Sequence, residues 1–142
     1  MRQKGDTVMA SQISTGAIHH VTLTVADVGR AREFYTGVLG FEVAGEFGPR
    51  VILSNGGALL AIGPASDPSR AISGDSFNEN RVGLDHLCFS VGSRDELEQA
   101  MGVLDEHDVS HGEIVDLSGL SIYVLMFRDP DNIQIELTAP HS

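Results

Sequence analysis

Between His20 and Val25 polar and apolar residues alternate, with Val21, Leu23 and Val25 interleaved with His20, Thr22 and Thr24. A period of two predicts a strand with one apolar face and one polar face. The period then lengthens. In "VGRAREFYTGVL", Val28, Ala31, Phe34, Tyr35 and Val38 fall on one stripe of a helix. Asp27 is placed to cap that helix and Gly40 to stop it. Three further strands are expected in "FEVAGEF", "RVILS" and "ALLAIG", the last two joined by the turn signal "NGG".

The same plan recurs 66 residues further on: Ile18 falls on Leu84, His20 on His86, Leu23 on Phe89, Val25 on Val91, Ala31 on Leu97 and Val38 on Leu104. "HLCFSV" is the second opening strand and "SRDELEQAMGVLDEH" its helix, with Ser93 and Glu96 spaced as a capping box. Strands follow near "SHGEIVDL", "SIYVLMF" and "NIQIELT", and "DPDN" (Asp129 to Asn132) turns between the last two. Each half therefore reads β-α-β-β-β, over about residues 17–64 and 82–139. The polar stretch "ASDPSRAISGDSFNENR" (65–81) reads as a linker. Residues 1–15 read as a flexible tail on a single domain spanning 16–142.

Parity assigns the faces. If Val21, Leu23 and Val25 pack under the first helix, His20 shares the opposite face with Thr22 and Thr24. In the second module His86 joins Cys88 and Ser90 on that face, and in the last strand Gln134 and Glu136 oppose Ile133, Ile135 and Leu137. A single strand histidine most often serves structure. Two at equivalent positions of a repeat converge if the modules pair about a twofold axis, and a nearby carboxylate then completes a 2-His-1-carboxylate set.

Composition narrows the partners. A formal charge of −11, from 9 basic and 20 acidic residues, argues against nucleic acid, whose phosphates it would repel. The lone Cys88 excludes an intramolecular disulfide and suits a reducing compartment, so a cytoplasmic location is expected. Residues 1–15 lack the apolar run of a signal peptide, and no segment is long enough to span a membrane.

The segments "HHVTLTVADVGRAREFYTGVLGFEV", "DHLCFSV" and "FRDPDNIQIEL" resemble those of the vicinal oxygen chelate superfamily. That superfamily includes glyoxalase I, extradiol dioxygenases, fosfomycin-resistance transferases, methylmalonyl-CoA epimerase and bleomycin-binding proteins. The resemblance implies an α+β fold in which two paired βαβββ modules form a cupped mixed sheet with helices on the outer face. It also implies metal ligands at His20, His86 and Glu136, the last also catalytic, for a divalent ion such as Fe2+, Mn2+ or Zn2+. The fourth ligand of many members would fall among Leu59, Leu60, Ala61 and Ile62, all apolar. Met126 takes the place of the extradiol tyrosine, and Tyr123 has the opposite parity. Thr22 matches a threonine of the fosfomycin transferases, but "SHGEIVDLSG" lacks their lysine.

The function expected is that of a metal-dependent enzyme acting on a small oxygen-rich substrate, of dioxygenase type first and glyoxalase or lyase type next. Thr22, Leu60, Ser90 and Met126 would line its pocket. The alternative is a metal-free drug-binding protein of the bleomycin-resistance kind, whose acidic surface suits a cationic ligand. A weaker alternative is a regulatory module whose histidines are structural. Open sheet faces and edges predict a homodimer in either of the first two cases.

Overall fold

A computed structural model describes residues 11–141. The first module comprises β1 (Val21–Thr24), α1 (Val28–Gly37), β2 (Glu42–Phe47), β3 (Arg50–Ser54) and β4 (Leu59–Gly63). The second comprises β5 (Leu87–Ser90), α2 (Arg94–Glu106), β6 (Val115–Leu117), β7 (Ile122–Arg128) and β8 (Gln134–Pro140). The opening strand and helix of the second module start 66 positions after those of the first. The expected α+β architecture is present as two four-stranded mixed sheets, ordered β1-β4-β3-β2 and β5-β8-β7-β6. In each sheet the opening strand runs parallel to the closing one, and the other pairs are antiparallel.

Local chemistry sets the element ends. Asp27 Oδ1 accepts the Arg30 N–H at 3.1 Å and Ser93 Oγ the Glu96 N–H at 3.3 Å, satisfying donors that the first helical turn leaves unpaired. The Glu96 side chain folds back over Gly92. Helix α1 ends two residues short of the expected Leu39. Gly40 adopts φ +72°, and the Phe41 N–H returns to the Tyr35 carbonyl at 2.9 Å. Asn55 Oδ1 accepts the N–H groups of Gly57 and Ala58 and so shapes the β3–β4 turn. Asn132 takes the left-handed conformation (φ 70°) in the "DPDN" turn. Strand β6 is shorter than "SHGEIVDL" because His111 pairs alone with Phe127 and the register slips before Val115 meets Val124.

One core serves both modules. Leu23, Phe34, Tyr35, Leu53, Leu60 and Ile62 of the first join Leu97, Leu104, Leu125, Phe127, Ile135 and Leu137 of the second. Aromatic rings stitch the junction, Phe34 with Phe127 (6.3 Å between centroids) and Phe41 with Phe89 (5.5 Å). Two polar ties cross it as well. Tyr35 Oη donates to Asp129 Oδ2 at 2.8 Å, and the Ala26 N–H to Asp131 Oδ1 at 3.0 Å. The helix-covered faces of the two sheets thus turn toward each other and share this core. The faces carrying the histidines look outward on opposite sides of it.

The linker is fastened to the second module. The Phe77 N–H donates to the Asp131 carbonyl at 2.8 Å and Asn132 Nδ2 to the Phe77 carbonyl at 3.0 Å. Arg128 forms a two-pronged pair with Glu79, at 3.0 and 2.8 Å. Of the expected tail, residues 1–10 lie outside the described residues. Residues 11–20 are exposed and belong to neither helix nor strand.

Candidate functional site

The outward face of the β5–β8 sheet gathers most of the expected groups. Strands β5 and β8 run in parallel with Cys88 opposite Glu136 and Ser90 opposite Thr138, and Met126 on β7 also faces Glu136. Just before β5, His86 Nε2 lies 3.4 Å from Glu136 Oε1. His86 Nδ1 is taken by Asp85 Oδ1 at 2.8 Å, and the same carboxylate oxygen accepts from Gln134 Nε2 at 2.9 Å. A carboxylate oxygen only accepts, so Nδ1 carries a ring hydrogen, and in the neutral ring Nε2 then presents a lone pair. In that form two electron-pair donors, Nε2 and Oε1, face one another, at a distance long for an N–H···O bond. A cation between them resolves that arrangement. The 3.4 Å separation matches the edge of a tetrahedron with bonds of about 2.1 Å, as zinc makes to nitrogen and oxygen. These two residues fit a metal.

His20 is not with them. It precedes β1 on the outward face of the other sheet, where its Nδ1 contacts His19 Nδ1 at 3.0 Å. Among the described residues no group of three or more His, Cys, Asp or Glu side chains is gathered closely enough to hold an ion. The shared core is the reason, since it holds the two histidine-bearing faces apart within one chain.

The expected pocket residues divide similarly. Thr22 is exposed on the face of His20, and Ser90 is exposed on the face of Glu136. Met126 is 38% exposed beside Glu136. Leu60 departs from expectation. It pairs with Val21 and Leu53 on the helix-covered side and is 2% exposed, so it belongs to the core. Its neighbours Leu59 and Ala61 have the outward parity on β4, so the position of a fourth ligand is apolar in either case. Tyr123 packs away from this face, with Arg94 5.5 Å from its ring and the His141 ring tilted against it at 4.4 Å.

Parity left Asp85, Thr138 and His19 unremarked as neighbours of the site, and placed Gln134 on its face without a role. The repeat carried a usable signal, because His19 and Asp85 are themselves related by the shift that relates His20 to His86. Thr138 Oγ1 lies 2.7 Å from Cys88 Sγ. Burial pushes the Cys88 thiol up; the Thr138 hydrogen bond opposes this and the Glu136 charge adds to it. A thiol held neutral is a poor nucleophile. Hollows in the chain lie elsewhere. A cleft of about 840 Å³ runs between the end of β1 and the linker, past Thr24, Ser66, Arg70, Phe77 and Asp131. An apolar gap of about 250 Å³ sits between the modules at Val38, Phe41, Phe89 and Leu137. Neither is lined by His20, His86 or Glu136.

Paired βαβββ modules, each with its opening strand parallel to its closing one, define a class of α+β fold. The chain belongs to the glyoxalase/bleomycin resistance protein/dioxygenase superfamily, whose family model matches residues 17–137. It is 29% identical over 124 residues to the metallothiol transferase FosB of Staphylococcus saprophyticus, covering 85% of this chain and 75% of that protein. It is 26% identical over 136 residues to the Bacillus subtilis protein YqjT, covering 87% and 98%. Among solved structures it is similar to a glyoxylase/bleomycin resistance protein/dioxygenase domain from Frankia sp. EAN1pec. The TM-score there is 0.75 at 28% identity, with 89% and 93% of the two chains covered. No helix among the described residues is long and apolar enough to cross a membrane.

Proposed function

We propose that this protein is a metal-dependent enzyme that works as a homodimer on a small molecule bearing adjacent oxygens. In this reading His20 of one subunit joins His86 and Glu136 of its partner. The observation that carries it is the 3.4 Å approach of His86 Nε2 to Glu136 Oε1 on a sheet face that the chain's own first module does not cover. A second copy supplies both the missing histidine and the cover. The bound ion would polarise substrate oxygens at coordination positions that three protein ligands leave open.

The chain's own groups do the rest. Glu136 balances charge and holds or releases a proton beside the substrate. Thr22 and Ser90 donate hydrogen bonds to substrate oxygens. Met126 and the outward side of β4 form an apolar wall that keeps water away. With apolar residues at the fourth-ligand position, the two-carboxylate proton shuttle of an isomerase has only one of its carboxylates. Dioxygenase-type chemistry is therefore ranked first and glyoxalase or lyase chemistry second.

Subunit mixing is the test. The variants His20→Ala and Glu136→Ala should each bind no stoichiometric Zn(II), Mn(II) or Fe(II). Each mixed dimer pairs the intact His20 of one chain with the intact His86 and Glu136 of the other. Statistical exchange should therefore restore about a quarter of the wild-type sites. Mixing that restores none would refute the shared site. Wild-type protein that takes up no metal, with Glu136→Gln silent in every assay, would favour the metal-free drug-binding reading suited by the charge of −11.

A further inference from the structure

We propose that Asp85, anchored by the buried Gln134, is a positioning residue that fixes the ring orientation and tautomer of His86; this rests on the metal-site reading. Asp85 Oδ1 receives two hydrogen bonds, one from His86 Nδ1 at 2.8 Å and one from Gln134 Nε2 at 2.9 Å. The Asp85 side chain is 64% exposed, so alone it would hold the imidazole loosely. Gln134 supplies the order. It is 8% exposed, sits two residues before Glu136 on β8, and also reaches the Asp85 backbone carbonyl at 3.4 Å. One strand therefore carries both the carboxylate that faces Nε2 and the amide that steadies the group holding Nδ1. The result is a fixed sequence of contacts, Gln134 to Asp85 to His86 to Glu136, with Nε2 at its working end.

The repeat supports this assignment independently. In the first module the residue preceding the histidine again occupies its Nδ1, His19 against His20 at 3.0 Å. Continuing the β1–β4 register sets Leu59 where Gln134 stands in the second module. The first histidine thus has a neighbour at Nδ1 without the amide anchor, and the second module holds the more firmly ordered donor. An imidazole whose distal N–H is held by a carboxylate is both oriented and made a better electron-pair donor.

The test reads the metal-free protein first. Long-range 15N–1H correlation spectra of the histidines should show wild-type His86 protonated at Nδ1 and bare at Nε2. In Asp85→Asn, and to a lesser degree in Gln134→Leu, the hydrogen should redistribute toward Nε2. The Zn(II) dissociation constant, measured against a chromophoric chelator, should rise about tenfold in Asp85→Asn. The melting temperature of the metal-free Asp85→Asn protein should stay within about 2 °C of wild type, as for an exposed site. A wild-type His86 carrying its hydrogen on Nε2, or an unchanged tautomer in Asp85→Asn, would overturn the assignment. If the tautomer shifts as expected but wild type binds no zinc, the positioning role stands and the metal-enzyme reading is what fails.

Discussion

Replacing Tyr35 by Phe isolates the polar tie between the modules. Tyr35 is fully buried, and its hydroxyl donates at 2.8 Å to Asp129 Oδ2, itself 5% exposed. Asp129 Oδ1 is already committed to the N–H groups of Ile133 and Asp131, at 2.9 and 2.8 Å. Phe keeps the ring and its edge contacts with Phe34 and Phe41, at 5.2 and 6.2 Å between centroids. The loss is therefore one hydrogen bond to a buried carboxylate, which costs about 1.5–3 kcal/mol. For a domain of this size that is roughly 5–10 °C in melting temperature. Urea unfolding at fixed protein concentration, with an unchanged m-value, gives the number. The pH dependence carries a sign. Burial raises the Asp129 pKa, and the Tyr35 hydrogen bond works to lower it. The variant's Asp129 must therefore titrate higher still. A carboxyl raised in the folded state binds protons there before it does unfolded, so stability falls as pH rises through that interval. The gap between wild type and Tyr35→Phe should be widest at neutral pH and close as the pH approaches about 4. A difference below about 0.5 kcal/mol at pH 7, or a gap that widens in acid, would refute the clasp.

Two further outcomes follow from burial and charge. Leu60→Ala should cost about 2–5 kcal/mol in urea unfolding, as truncation of a core leucine does, while Met126→Ala should leave unfolding of the metal-free protein within about 0.5 kcal/mol. Equal losses would mean that the two side chains had been assigned to the wrong faces. The linker clasp holds Glu79 well below the usual carboxylate range, at about 2, chiefly through its hydrogen bonds from Arg128. A carboxyl depressed in the folded state stabilises above its unfolded pKa, and that stabilisation is lost as pH falls through the folded value. The 13C carboxyl titration of Glu79 should therefore have its midpoint near 2, and Glu79→Gln should speed tryptic cleavage after Arg81 at neutral pH. A midpoint near the ordinary 4.3, or unaltered cleavage, would show the strap to be unclasped.

Much of the fold was legible because its determinants are local. The two-residue alternation of Val21, Leu23 and Val25, the helical stripe of Ala31, Phe34 and Tyr35, and the caps Asp27 and Ser93 each act within a few residues. The shift of 66 residues then made the modules equivalent, and parity put His20, His86 and Glu136 on the faces away from the helices. Leu60 was not legible by the same means. It lies in the unbroken apolar run "ALLAIG", where alternation leaves no mark, and only its pairing with Val21 and Leu53 decides its side. Nor does the sequence say whether His20 and His86 meet within one chain. The apolar set that covers each helix is the same whether a module packs against its own partner module or another chain's. Packing settled it: Phe34 against Phe127, Phe41 against Phe89 and Tyr35 on Asp129 join the helix-covered faces within one chain, and so turn the histidine-bearing faces apart. Neighbouring residues and their periods are properties of the chain, whereas the meeting of two distant strand faces depends on which surfaces bury each other.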